Sequence, residues 1–156
     1  MRKIKIKLLT APLALREGGR ILELINCLTV IGIKAWEWSK LKELEKLKVY
    51  KYSYVAVDEN KNIVGLLLAY LKDNELIYIR RLCVDSSCRR KGVGRKLLEK
   101  LLNSLPKKYS VEVETGEYNV ASCKSYEEMN FIIIGGEQLK SKEFLYTYFH
   151  PGKNNS

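Results

Sequence analysis

Apolar and polar positions alternate with period two at the start of the chain, where Lys3-Ile4-Lys5-Ile6-Lys7-Leu8 reads as a half-exposed strand. Pro12 and the Gly18-Gly19 pair punctuate residues 10–19, which read as a break. From Arg20 to about Leu47 the period becomes helical. Ile21, Leu24, Ile25 and Leu28 form one stripe, and Leu41, Leu44 and Leu47 form another. Gly32 between them predicts two helices with a joint, and Trp36 and Trp38 near that joint read as packing onto the core. Residues 49–57 predict a second strand with Tyr50, Tyr52, Tyr54 and Ala56 on one face. After the polar turn Asp58-Glu59-Asn60-Lys61-Asn62, residues 63–71 predict a third strand. Its run Ile63-Val64-Gly65-Leu66-Leu67-Leu68-Ala69 is apolar on both faces, which predicts a central place in a sheet.

A turn at Lys72-Asp73-Asn74 leads to a fourth strand over residues 76–84, which stops at Asp85, Ser86 and Ser87. A basic, glycine-spaced loop over residues 89–94 then passes straight into a helix. Val93, Leu97, Leu98, Leu101, Leu102 and Leu105 share one face of it, and Pro106 ends it. Residues 109–115 predict a fifth strand. Asn119 is a good N-cap for a helix over residues 120–129, and Asn130 stands where a left-handed residue would close it. Residues 131–135 and 143–149 predict a last hairpin, and 151–156 a polar tail. The order is β-αα-βββ-α-β-α-ββ, in one domain over residues 1–150 with no linker and no repeat.

Composition narrows the class. A chain of 156 residues that is 46% hydrophobic and 29% charged is globular rather than disordered. No apolar run approaches the ~20 residues that span a bilayer, so no membrane association is expected. Four cysteines (Cys27, Cys83, Cys88, Cys123) without CxxC spacing and a lone His150 give no metal site. They fit a reduced, cytoplasmic chain. The formal charge of +10 is spread along the chain and reads first as a solvated surface, although it could also steer an anion.

Strand, glycine loop and helix start together suit a phosphate. The first N–H groups of a helix lack internal partners, and glycine lets an anion reach them. Arg89, Arg90, Lys91 and Arg95 add positive charge there, so a polyphosphate is the expected ligand. The spacing is neither that of a phosphate loop nor that of a dinucleotide fingerprint. It is Arg89-x-x-Gly92-x-Gly94, and it resembles the Gln/Arg-x-x-Gly-x-Gly/Ala loop of the GNAT N-acetyltransferase superfamily. Further along, Asn119-x-Ala121-x(4)-Tyr126-Glu127-x(2)-Asn130-Phe131 is similar to that family's Asn-x-x-Ala-x-x-x-Tyr-Glu-x-x-Gly-Phe segment. Alanine stands one place early, and Asn130 replaces the glycine, a substitution the left-handed conformation tolerates. The element order matches the family over nearly the whole chain.

The resemblance implies an α/β (α+β) fold: a mixed, mostly antiparallel sheet of about seven strands, flanked by about four helices. Strands four and five would splay around the cofactor. It implies acetyl-CoA as co-substrate and direct acetyl transfer to a primary amine. Leu82, Cys83 and Val84 would offer backbone groups to the pantetheine arm. Arg89, Arg90, Lys91, Gly92, Val93, Gly94 and Arg95 would hold the pyrophosphate, and Asn119 would also contact cofactor. A backbone N–H near Val84 would stabilise the oxyanion. Tyr126 matches the family's general-acid tyrosine, with packing or contact to the cofactor sulfur as the plainer role. Tyr78 occupies a position where relatives carry a base; Glu114, which shares a strand face with Glu112, is the alternative. An acyl-cysteine at Cys83 or Cys123 lacks an activating histidine.

Two other readings compete. One is a degenerate CoA-binding sensor. The other is a basic nucleic-acid-binding domain that stacks bases on its tyrosine sheet, which would leave both motifs unexplained. The acceptor (peptide N-terminus, lysine or small amine) and a homodimer are not readable, although the net positive charge argues against a polyamine.

Overall fold

The protein is described by a computed structural model over residues 3–26 and 51–152. Strand β1 (Lys5–Leu8) is followed by two helices, α1 (Ala11–Arg16) and α2 (Gly18–Asn26). Residues 10–19, expected to be a break, are therefore mostly helical. Thr10 caps α1 by accepting from Leu13 N (3.3 Å), and Pro12 lies in the first turn, where its missing N–H costs nothing. Gly18 and Gly19 likewise open α2 rather than interrupt the chain. Of the expected stripe on α2, Ile21 and Leu24 are buried. Leu28, Gly32, Trp36, Trp38, Leu41, Leu44, Leu47 and Tyr50, together with the expected joint, lie outside the described residues.

Six more strands follow: β2 (Tyr54–Val57), β3 (Ile63–Asp73), β4 (Leu76–Val84), β5 (Ser110–Gly116), β6 (Ile132–Gln138) and β7 (Phe144–His150). Helix α3 (Val93–Ser104) joins β4 to β5, and α4 (Val120–Glu128) joins β5 to β6. The seven strands form one sheet in the order β1-β2-β3-β4-β5-β7-β6. Every neighbouring pair is antiparallel except β4–β5. This is the seven-stranded mixed sheet expected from the sequence, with four helices among the described residues. β3 is buried on both faces from Ile63 to Ala69, as its unbroken apolar run demands.

The core has two layers. On one face, α3 buries Leu97, Leu98, Leu101 and Leu102 against residues such as Ala69, Ile79 and Val113. Tyr52 and Tyr54 are sealed into this layer, so they offer no ring for base stacking. Leu105 turns extended before Pro106 and ends α3. On the other face, Ala14, Ile21 and Leu24 of α1 and α2 pack with Leu66, Leu68 and Cys83. Asn130 closes α4 with φ 68°, the left-handed residue that the sequence predicts. The sheet ends at β6, where Ile132, Ile133 and Ile134 are exposed.

Candidate active site

The parallel β4–β5 ladder runs from Leu76↔Ser110 to Ile79↔Val113 and stops. At that point Arg80 is an extra residue in β4: Ala69 pairs with Ile79, but Leu68 pairs with Arg81. Such a bulge bends the strand. β4 then continues on β3 alone, through Leu67↔Leu82, Leu66↔Cys83 and Gly65↔Val84. β5 continues on β7 as far as Gly116↔Leu145. Leu82, Cys83 and Val84 thus border a gap in the sheet, on the side of β4 where the ladder to β5 has stopped.

Helix α3 starts beside the end of that gap. Its cap, Gly92, is left-handed (φ 76°) and has no side chain to satisfy the first amides. A Cβ on Gly92 would meet nothing within 4 Å, so backbone conformation is what calls for glycine there. Gly94 differs: a Cβ there would make only ordinary contact with Val84 Cγ2 at 3.7 Å. The protein itself leaves that place free, which suits close approach of a ligand. Arg89, Arg90, Lys91 and Arg95 are exposed around this start, with Arg95 Nε 3.2 Å from Glu99 Oε1. Gly65 on β3 lets Val93 and Leu97 settle on the sheet; a methyl group there would stand 2.9 Å from Val93 Cγ1.

Tyr126 approaches from α4. It is buried, with ring centroids 5.3 Å from Phe131 and 5.6 Å from Tyr148. Burial pushes its phenol far up, and the nearby Cys83 adds to this against a hydrogen bond with the buried Thr115. Tyr126 is therefore a neutral donor, held close to the open part of β4. Asn119 caps α4, its side-chain oxygen accepting from Ser122 N (3.3 Å). Cys123 Sγ lies 3.6 Å from the Gly116 carbonyl. Tyr148 donates to Glu127 Oε1 (3.1 Å), which fixes the ring behind Tyr126.

The opposite face carries different chemistry. Tyr78 is in register with Glu112 and Tyr70. Its ring meets Tyr70 at 5.5 Å, and Lys72 Nζ sits 5.2 Å from its centroid while also pairing with Glu112 (2.9 Å). Burial, then Glu114 and Tyr70, raise the Tyr78 phenol, so it stays protonated. A protonated phenol relays hydrogen bonds but takes no proton. Two residues on from Glu112, Glu114 lines a hollow of about 240 Å³ with Gly136, Glu137, Leu145 and Thr147. Strand alternation sets Glu114, Thr147, Leu145 and Glu137 on this one face. Glu143 folds its carboxylate over Gly116, where a Cβ would collide with it. A larger hollow of about 410 Å³, lined by Arg95, Glu128, Asn130 and His150 among others, has none of the split-strand residues in its wall.

The structure thus gathers Leu82 to Val84, the glycine loop and Tyr126 at one gap, and places Tyr78 and Glu114 on the far face. Sequence reading missed Thr115, Tyr148, Glu137 and Glu143, whose roles depend on register between distant strands. Among the described residues no group of three His, Cys, Asp or Glu could hold a metal, and no helix is long and apolar enough to cross a membrane.

A sheet split between parallel strands, with an uncapped basic helix start at its mouth, defines a site for an extended phosphorylated ligand. The family model described as Acetyltransferase (GNAT) family matches residues 21–131, and the chain belongs to that family. It is similar to L-2,4-diaminobutyric acid acetyltransferase of Halalkalibacterium halodurans, at 30% identity over 83 residues. That match covers 46% of this chain and 44% of the relative, so less than half of the curated protein is spanned. In fold this chain is similar to a chain of the NatC complex bound to Gag peptide and CoA (TM-score 0.79, 19% identity, 96% of this chain and 98% of that one). The ribosomal-protein-S18-alanine N-acetyltransferase from Escherichia coli is as similar in fold (TM-score 0.79, 15% identity, 97% and 98% covered).

Proposed function

We propose that this chain is an N-acetyltransferase that moves the acetyl group of acetyl-CoA directly onto a cationic primary amine. The observation that carries this reading is the gap between β4 and β5, with the uncapped start of α3 at its mouth and Tyr126 beside it.

The residues present fit the cofactor. The amides of Val93, Gly94 and Arg95 point where a pyrophosphate can accept from them, and Arg89, Arg90 and Lys91 add countercharge. The edge of β4 from Leu82 to Val84, which faces the gap, can hydrogen-bond the amide groups of the pantetheine arm. Bound there, acetyl-CoA supplies an activated thioester carbonyl. A β4 amide near Val84 is suited to hold the charge that develops on its oxygen.

Two proton transfers remain. An aliphatic ammonium has a pKa near ~10, so it must lose a proton before its nitrogen can attack. Glu114 is the better acceptor of that proton, because it is an exposed carboxylate whereas Tyr78 is held neutral. Tyr78, in register with Glu112 and packed on Tyr70, orients the amine. Tyr126 donates to the departing sulfur, for which a buried phenol is suited.

The carboxylates Glu114, Glu137 and Glu143 support a positively charged acceptor, and none of them has a salt bridge among the described residues. A diamino acceptor fits this face best, and the diaminobutyrate-acetylating relative supports the same choice. Net charge argues the other way. The local field is the stronger consideration, since opposite charges within a few ångströms outweigh those beyond the ~8 Å screening length.

Calorimetric titration with acetyl-CoA, beside dephospho-CoA, tests the reading. Saturable micromolar binding is expected, followed by turnover of a diamine. No heat and no thermal shift at millimolar acetyl-CoA would overturn it. Tyr126→Phe should lower kcat roughly 10²-fold with acetyl-CoA binding retained; unchanged turnover removes Tyr126 from the mechanism.

A further inference from the structure

The loop that opens α3 has no capping side chain of its own, so something else must fix it. Asp85 stands between Val84 and that loop. Its Oδ1 accepts from Ser87 N (2.9 Å) and Ser87 Oγ (2.7 Å), closing the short 3-10 turn Ser86–Cys88. Its backbone N–H donates to Val64 O (2.8 Å), and its carbonyl accepts from Cys88 N (2.9 Å), whose side chain is buried in the α3 layer. The second carboxylate oxygen, Oδ2, is left for a different element and accepts from Arg20 Nη2. Arg20 belongs to the first turn of α2, and its Nε donates to Ile63 O (3.0 Å). One guanidinium therefore ties the start of β3 to the end of β4.

α2 packs on the face that carries Tyr78 and Glu114, through Ile21 and Leu24. The loop it grips through Arg20 opens α3, which packs on the other face. The pair is partly shielded, with side-chain exposures of 31% and 21%, so water weakens it less than it would a surface pair. From Asp85 to the cap Gly92 the chain makes two left-handed turns, at Arg90 (φ 63°) and Gly92 (φ 76°). A path bent twice is sensitive to where its first residue is held.

We propose that Arg20 and Asp85 form a positioning pair that sets the glycine loop, and so the affinity for acetyl-CoA, from the acceptor side of the sheet. This rests on the acetyltransferase reading. The pair touches no reacting atom. It holds the anchor from which the amides of Val93 to Arg95 are aimed, and a small misplacement of such donors weakens what they bind.

The test compares wild type with Asp85→Asn, Arg20→Gln and the double variant by acetyl-CoA calorimetry, thermal unfolding and amide hydrogen exchange. Each single variant should bind acetyl-CoA roughly tenfold more weakly, and the double variant no more weakly than the worse single one. Asp85→Glu should recover part of the loss. In the protein without ligand, exchange should quicken over residues 89–95 before it does in β3 or in the rest of α3. Unchanged affinity in both singles, or a loss that only follows a fall in Tm, overturns the pair's role. If wild type binds no acetyl-CoA, the parent reading fails; exchange over residues 89–95 then still decides, and unchanged rates in the variants overturn the positioning role.

Discussion

A methyl group at Gly65 would stand 2.9 Å from Val93 Cγ1, 3.1 Å from Leu97 Cδ1 and 3.2 Å from Ala56 Cβ. Gly94, by contrast, faces only Val84 Cγ2 at 3.7 Å. The two glycines should therefore respond differently to alanine. Gly65→Ala should lower stability by about 1–3 kcal/mol, because α3 must lift from the sheet, and denaturant unfolding reads this directly. Gly94→Ala should leave the unfolding midpoint nearly unchanged while weakening acetyl-CoA binding; equal affinity would mean that no ligand approaches Gly94. Asp85 makes a third prediction. Hydrogen bonds from Ser87 and Arg20 hold its carboxyl down at about 2, below its ordinary 3.8. A lowered folded-state value stabilises the charged form, so this contribution is present above about pH 4 and fades as pH falls toward 2. Asp85→Asn should flatten that part of the acid-unfolding curve, and parallel curves for the two proteins would contradict it.

At the scale of elements, the proposed mechanism divides the handling of the acceptor amine between Glu114 on β5 and Tyr78 on β4. Glu114→Gln should reduce kcat/KM roughly 10²-fold at neutral pH and less at pH 10, where the amine is already free of its extra proton. A loss that does not shrink with pH would assign Glu114 to binding rather than proton transfer. β4, α3 and α4 were legible from sequence because their signals are local: a β-prone run that stops at a polar turn, a 3.6-residue stripe, Pro106 after the last turn, Asn119 before the first. Residues 10–19 misled because Pro12 and Gly18 are tolerated in a helix's first turn and disruptive only further in. The β4 bulge left no local mark at Arg80, since a bulge is a relation between strands and shows only when Leu68 is matched to Arg81. For the same reason Thr115 beside Tyr126 and Glu143 over Gly116 could not be read. Each joins elements whose register is settled by the whole sheet.

Across the whole molecule, charge clusters locally, although Lys72 stands among the far-face carboxylates, paired with Glu112. A chain with formal charge +10 gathers arginines and Lys91 at the start of α3, while Glu114, Glu137 and Glu143 stand on the far face. Glu137→Gln should therefore reduce the ratio of kcat/KM for a diamine over that for a monoamine of equal length, and rising salt should do the same in wild type. A ratio of one in wild type would show that these carboxylates do not select the acceptor. The split sheet has a further consequence. Beyond Ile79, the edge of β4 faces a gap where the ladder to β5 has stopped, so the sheet parts there as if one rib had been left out. Whatever lies in the gap and offers amides at the right intervals completes the sheet as a strand would, without being a peptide. The ligand then becomes a structural member of the fold, and loading it should stiffen both halves of the sheet together.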